Sequence, residues 1–151
     1  MNSLSLFAVA ATLAGAAIAT QSGLNSQLAV LLKNPLIATT IAFSFSALFT
    51  LTALLAFTKS YPQADDIKVI PTYLWFSGSF FSAFAVAMFF YLAPKMGIGS
   101  MMSYALSGQI VVAIISSHFG WFDLPLKPIT ALKLLGVAAM IGGILLINWQ
   151  N

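Results

Sequence analysis

Charged side chains are absent from residues 4–32, 36–57, 73–93 and 97–117, and a fifth apolar run, 131–149, carries only Lys133 near its start. Each run matches the roughly 20 apolar residues that a helix needs to cross a hydrocarbon core. The breaks fall at Lys33-Asn34-Pro35, at Lys59, at Pro94-Lys95 and at the turn-rich segment 118–128, which holds Gly120, Pro125 and Pro128. Residues 59–68, with Pro62, Asp65 and Asp66, read as an exposed loop. The runs are apolar on every face, whereas strands of a membrane barrel alternate apolar and polar residues. The expected fold is therefore an all-α polytopic membrane protein with five transmembrane helices, forming a single transmembrane domain over 1–151. Pro35 and Pro71 fall at or just before helix starts, where a missing N–H costs little. Tyr73, Trp75, Trp121 and Trp149 fall near run ends, as interfacial aromatics do.

Composition narrows the function. Of 151 residues, 60% are hydrophobic and 6% are charged, against about 25% charged in a soluble domain. So few charges cannot solvate the surface of a water-soluble globule, and so apolar a chain does not stay disordered. The net charge of +3 comes from six scattered Lys without any Arg, which is no footprint for nucleic acid. Without Cys there are no disulfides and no thiolate chemistry. One His and three Asp leave little with which to build a metal centre or a catalytic triad. The chain is read as neither an enzyme nor a cofactor protein. The first run resembles a secretory leader in its apolar core and its Ala17-Ile18-Ala19 small-x-small site. Its first turn lacks Lys and Arg, so it is read as a retained membrane helix.

Five spans put the two ends of the chain on opposite sides of the membrane. Lys59, Lys68, Lys127 and Lys133 then share a side with the N-terminus, and Lys33 and Lys95 take the other. Positive charge accumulates on the cytoplasmic side, so the bias favours a cytoplasmic N-terminus. Four against two is a slight bias. It admits either one weakly specified orientation or dual insertion, with two copies paired antiparallel. Many transporters place their site between halves of opposite topology. No internal repeat is visible in these five helices, and an antiparallel dimer would supply one by assembly.

Polar residues inside the runs are costly there and are the best functional signal. The first run carries a block from Thr20 to Gln27. Gln21 and Asn25 lie four apart and share a helix face, with Thr20, Gly23 and Gln27 forming a neighbouring stripe. Gln21 and Asn25 are candidate substrate ligands, and the competing reading is an exit end that merely meets water. Thr39, Phe43, Ser46 and Thr50 on the second run, and Gly78, Ser79, Ser82, Ala83 and Ala87 on the third, read as faces for close helix packing. Gly99, Ser103 and Ser107 form a similar seam on the fourth run, flanked by Tyr104 and Gly108. Gln109, on another face of the same run, is a candidate cavity residue, and Tyr104 a candidate aromatic wall. Ala139 and Gly143 suit close packing on the fifth. His118, at the end of the fourth run, reads either as a cap or as a coupling or gating group. No Asp or Glu lies within a run, which argues against proton coupling through an embedded carboxylate.

Several of these residues recur in an order that resembles the YdcZ-type family of five-helix proteins in the drug/metabolite transporter superfamily. They are Gly15, Gln21, Asn25 and Leu28, then Asn34-Pro35 and Phe43. Pro94-Lys95-Met96-Gly97, Ser107-Gly108-Gln109 and His118-Phe119-Gly120 follow. Pro128, Leu132, Leu135-Gly136 and Gly142-Gly143 complete the series. The resemblance covers nearly the whole chain. It implies a bacterial cytoplasmic-membrane protein equal to one half of a ten-helix inverted-repeat transporter, paired as a homodimer or with a related five-helix protein. It places Gln21, Asn25 and Gln109 on the family's polar positions. Relatives often carry an acid just before His-Phe-Gly, where this chain has Ser117, so an acid-dependent coupling step does not carry over.

The expected function is transport of small metabolites or drug-like solutes by alternating access. Two rival readings are export of lipophilic cations, which normally needs a carboxylate in the first helix, and a non-transporting subunit of a larger membrane complex. Orientation is checked with reporters fused to the C-terminus. A single orientation with five spans yields signal from the periplasmic face alone, and dual insertion yields signal from both faces.

Overall fold

A computed structural model of the chain describes residues 3–123 and 125–149. It is helical, with no strand among the described residues. The main helices are α1 (Ser3–Leu31), α2 (Pro35–Phe57), α4 (Ser77–Met96), α5 (Ile98–Phe119) and α6 (Ala131–Ile147), with a five-residue helix α3 (Ala64–Lys68) between α2 and α4. Two single 3-10 turns, Thr72–Trp75 and Trp121–Asp123, precede α4 and follow α5. The chain divides into two compact units, residues 1–95 and 96–151.

In the first unit, α1 and α2 form a tight hairpin. Lys33 takes a left-handed conformation, φ 53°. The Asn34 N–H reaches back to the Ala29 carbonyl at 3.1 Å. Asn34 then caps α2, its Oδ1 accepting from the N–H groups of Leu36 (2.9 Å) and Ile37 (3.2 Å). Pro35 follows at the first helical position, where the lost donor is not needed. Ala29, Ala38 and Phe90 form the buried centre, with Leu28, Ala42, Val86 and Phe89 packed around it. Two alanines there let α1 and α2 approach closely enough for Phe90 of α4 to seat on both.

The segment expected as an exposed loop is exposed, but it contains α3. Its start is tied by the Gln63 N–H donating to Asp66 Oδ2 at 2.8 Å, and Lys68 pairs with Asp65 at 2.9 Å. The third run, expected over 73–93, lies within the apolar segment Thr72–Met96, whose start is not α-helical. Residues 72–75 form a 3-10 turn after Pro71, and α4 starts at Ser77. Pro94 does not stop α4, which continues to Met96. A proline removes one donor within the last turn, and the true stop is Gly97, whose φ of 80° and ψ of 150° are open essentially to glycine alone.

In the second unit, α5 ends at Gly120, left-handed at φ 65°, with its N–H on the Ser116 carbonyl. The Thr130 hydroxyl caps α6 by accepting from the Lys133 N–H at 3.3 Å. At the opposite end of α6, Asn148 Nδ2 donates to Ser103 Oγ on α5 at 2.9 Å, and the Ser103 hydroxyl donates to the Ser100 carbonyl at 2.8 Å. The seam expected on α5 therefore carries a hydrogen bond between helices as well as small side chains.

Four segments are long and apolar enough to cross a membrane, Leu4–Leu31, Pro35–Phe57, Thr72–Met96 and Ile98–Phe119. The fifth, α6, is apolar but has only 17 residues, about 26 Å at 1.5 Å per residue. The last two positions of the expected run, Asn148 and Trp149, lie beyond its end. Phe90 is 1% exposed, and Phe81 on the same helix is 69% exposed. Phe90→Ala should therefore lower unfolding stability by about 3 kcal/mol through the void it leaves. Phe81→Ala should change it little, as read from thermal unfolding in detergent.

Candidate functional site

The polar block of α1 separates onto two faces. Ser22 and Ser26 are buried in the first unit at 1% and 4% exposure, and the Ser26 hydroxyl donates to the Ser22 carbonyl. The Ser22 hydroxyl has no partner. Thr20 returns its hydroxyl to the Ala16 carbonyl. Gln21 and Asn25 stand apart from these, joined by a long hydrogen bond of 3.4 Å from Asn25 Nδ2 to Gln21 Oε1. Asn25 is half-buried and Gln21 exposed.

Gln21 opens onto a small space of about 130 Å³ that Ala42, Phe43, Ser46, Ser82 and Val86 also line. The Ser46 and Ser82 hydroxyls make no hydrogen bond among the described residues. This space adjoins a cleft of about 1060 Å³ between α2 and α4, and Phe43 and Ser82 line both. Phe80, Phe84 and Met88 supply much of the apolar wall of the cleft. Thr39 and Thr40 also face it, but their hydroxyls donate to the carbonyls of Pro35 (2.8 Å) and Leu36 (2.9 Å) in their own helix. They offer the cleft methyl groups rather than free hydrogen-bonding capacity. Among the described residues, no charged side chain lines either space.

The faces of α2 and α4 read as packing surfaces are divided. Thr39 and Ala87 are buried, while Phe43, Ser79, Ser82 and Ala83 are exposed along an open cleft, and the buried centre lies around Ala38 and Phe90. Small residues at helical spacing serve either purpose, so spacing alone could not separate them. The signal available was aromatic: Phe80 and Phe84 lie four apart beside the small face, too bulky for a close seam.

The remaining candidates lie on α5, in the second unit. Tyr104 and Gln109 are exposed, and Gln109 makes no hydrogen bond among the described residues. His118 is half-buried and spends its Nδ1 as acceptor for the Ile129 N–H at 3.1 Å. Its ring meets Phe119 edge to face at 4.8 Å. The Lys127 N–H bonds the Ser117 carbonyl at 2.8 Å, and Lys133 Nζ bonds the Pro128 carbonyl at 2.7 Å. These bonds fold the segment after α5 back on that helix and into the start of α6. Asn148, which the sequence reading passed over, is the polar residue that ties α5 to α6, and its Oδ1 is buried without a partner. Its signal was an amide at the end of an otherwise apolar run.

Long apolar helices and scarce charge define a multi-pass helical membrane protein. The chain belongs to the DMT_YdcZ family, whose model, described as "Putative inner membrane exporter, YdcZ", matches residues 6–146. It is accordingly a multi-pass protein of the inner membrane. No curated protein and no solved structure matches the chain. His118→Ala removes the acceptor for the Ile129 N–H. Amide hydrogen exchange at Ile129 should rise roughly fivefold, the equivalent of a bond of about 1 kcal/mol, while exchange in the middle of α2 stays unchanged.

Proposed function

We propose that this chain is a transporter of small metabolites or drug-like solutes that works by alternating access. The observation that carries the reading is the pocket where Gln21 faces Ser46 and Ser82 beside the α2–α4 cleft. Uncompensated polar groups at membrane depth are retained where they meet water or a solute, and a concave apolar space with a few convergent polar groups is the usual form of a ligand site. Gln21 and Asn25 offer donors and acceptors to a polar solute. Tyr104 and Gln109 keep the roles proposed for them as an aromatic wall and a further amide.

On this reading α6 is the fifth span. Its 17 residues sit at the short limit for crossing a bilayer, and Trp149 provides an interfacial anchor just beyond it. The five helices form one half of a ten-helix carrier, and a second copy or a related five-helix chain supplies the other half with opposite topology. The uncharged lining supports facilitated movement or exchange over proton antiport, and it disfavours export of lipophilic cations.

Solute flux into liposomes containing the purified protein tests the proposal with a panel of metabolites. Gln21→Ala should reduce flux at limiting solute by roughly fivefold, as loss of a ligand hydrogen bond does, without lowering the thermal midpoint. Flux unchanged in that variant, or no flux across the panel, overturns it.

A further inference from the structure

The two spaces beside α2 differ in their balance of apolar and polar lining and share a wall. The larger is mostly aromatic and apolar: its two threonine hydroxyls are already satisfied by their own helix, and the serines Ser44, Ser79 and Ser82 are its remaining polar groups. The smaller holds an amide and two unpartnered hydroxyls. Phe43 and Ser82 line both. A ligand spanning them meets rings on one side and hydrogen-bonding groups on the other. Among the described residues, neither space presents a carboxylate, ammonium or imidazole.

Building on the proposed transport site, we infer that its ligand is an electrically neutral amphiphile: an apolar or aromatic body with a small uncharged head that both donates and accepts hydrogen bonds. Three observations fix the class. Moving a net charge out of water into a lining without a countercharge is strongly unfavourable, so both cations and carboxylates are selected against. Gln21 Oε1 receives Asn25 Nδ2 on one lone pair, which leaves its second lone pair, the Gln21 amide N–H groups and the hydroxyls of Ser46 and Ser82 for the head. Such a set matches an alcohol or a carboxamide. The small space, about 130 Å³, equals about four waters at roughly 30 Å³ each, so the head has only a few non-hydrogen atoms. The body lies along Phe43, Phe80 and Phe84, with Met88 adapting to its outline. The cleft, about 1060 Å³, stands at the upper end of the roughly 300–1,000 Å³ of pockets that hold drug-sized ligands.

Binding of three radiolabelled probes that share a phenethyl-type body tests this with the full chain in lipid nanodiscs. They are N-phenethylacetamide, which is neutral, phenethyltrimethylammonium, and 3-phenylpropanoate. Empty nanodiscs subtract partition into lipid. The neutral amide should bind saturably and about tenfold tighter than either ion. Ser82→Ala and Gln21→Ala should each weaken it roughly fivefold. Gln21→Glu should reverse the preference toward the cation by supplying the missing countercharge. Gln21 and Ser82 are both exposed, so these variants spare the packed core, and the wild-type ranking decides the matter if a variant fails to fold. Equal or tighter binding of either ion overturns the inference. So does the absence of saturable amide binding, including the case where a co-purifying lipid or a second copy fills the cleft. Should Gln21→Ala lose flux while an ion binds best, the transport site stands and the neutral class falls. If Gln21→Ala keeps its flux, the site itself falls.

Discussion

Hydrocarbon offers no hydrogen bonds, so a chain that lives in it must satisfy every backbone donor and acceptor internally. Nearly everything else in this structure follows from that demand. The chain answers it with helices, and at several of their ends another group takes over an orphaned donor. Asn34 accepts two N–H groups at the start of α2, and the Thr130 hydroxyl takes one at the start of α6. Gly97 and Gly120 turn the backbone through conformations that a side chain would resist. The His118 ring and the Ser117 carbonyl absorb the N–H groups of Ile129 and Lys127 in the return from α5 to α6. The α1–α2 and α5–α6 connections can be short because these breaks are closed locally.

The same demand sorts the side chains. A threonine in an apolar helix has a carbonyl four residues back within reach, and Thr12, Thr20, Thr39, Thr40, Thr50 and Thr52 all use it. Their polarity is cancelled where they stand. Gln21, Ser46 and Ser82 keep free hydrogen-bonding capacity, and these three line one small space. Counting polar residues along the runs therefore overstates how polar the interior is. What matters is which groups remain unspent, and three of them, Gln21, Ser46 and Ser82, line the small space beside the cleft.

This sorting explains what could be read from the sequence. The apolar runs, the hairpin at Lys33-Asn34-Pro35 and the shared face of Gln21 and Asn25 were legible because they depend on local periodicity and on residues next to one another. The stop of α4 was misplaced because Pro94 is the conspicuous breaker, while the helix yields only at Gly97, where backbone sterics decide. Helix α3 was missed since five residues carry too little pattern to read. The cleft was missed for a different reason. Ser82 and Ala83 have the spacing of a packing face and also of a cavity wall, and only the approach of a neighbouring helix distinguishes them. Ser22 shows the same limit, as nothing local to it marks it as buried.

Scarcity of charge has one further consequence that links the ends of the helices to their middles. A chain with nine charges in 151 residues places them outside the apolar stretches or near helix ends, where Lys95 rests on the Tyr91 ring at 3.8 Å and Lys133 reaches the carbonyls ahead of α6. Charges held there anchor the protein at the headgroups but cannot discriminate among solutes within the bilayer. Discrimination then falls to shape and to hydrogen bonds that form only once water has been removed. Such bonds reject a wrong partner chiefly by leaving a buried group unpaired. On the proposed reading, a site built this way selects against charge by default and among neutral solutes by the fit of a small head beside Gln21, and the absence of acids within the spans is part of that selectivity.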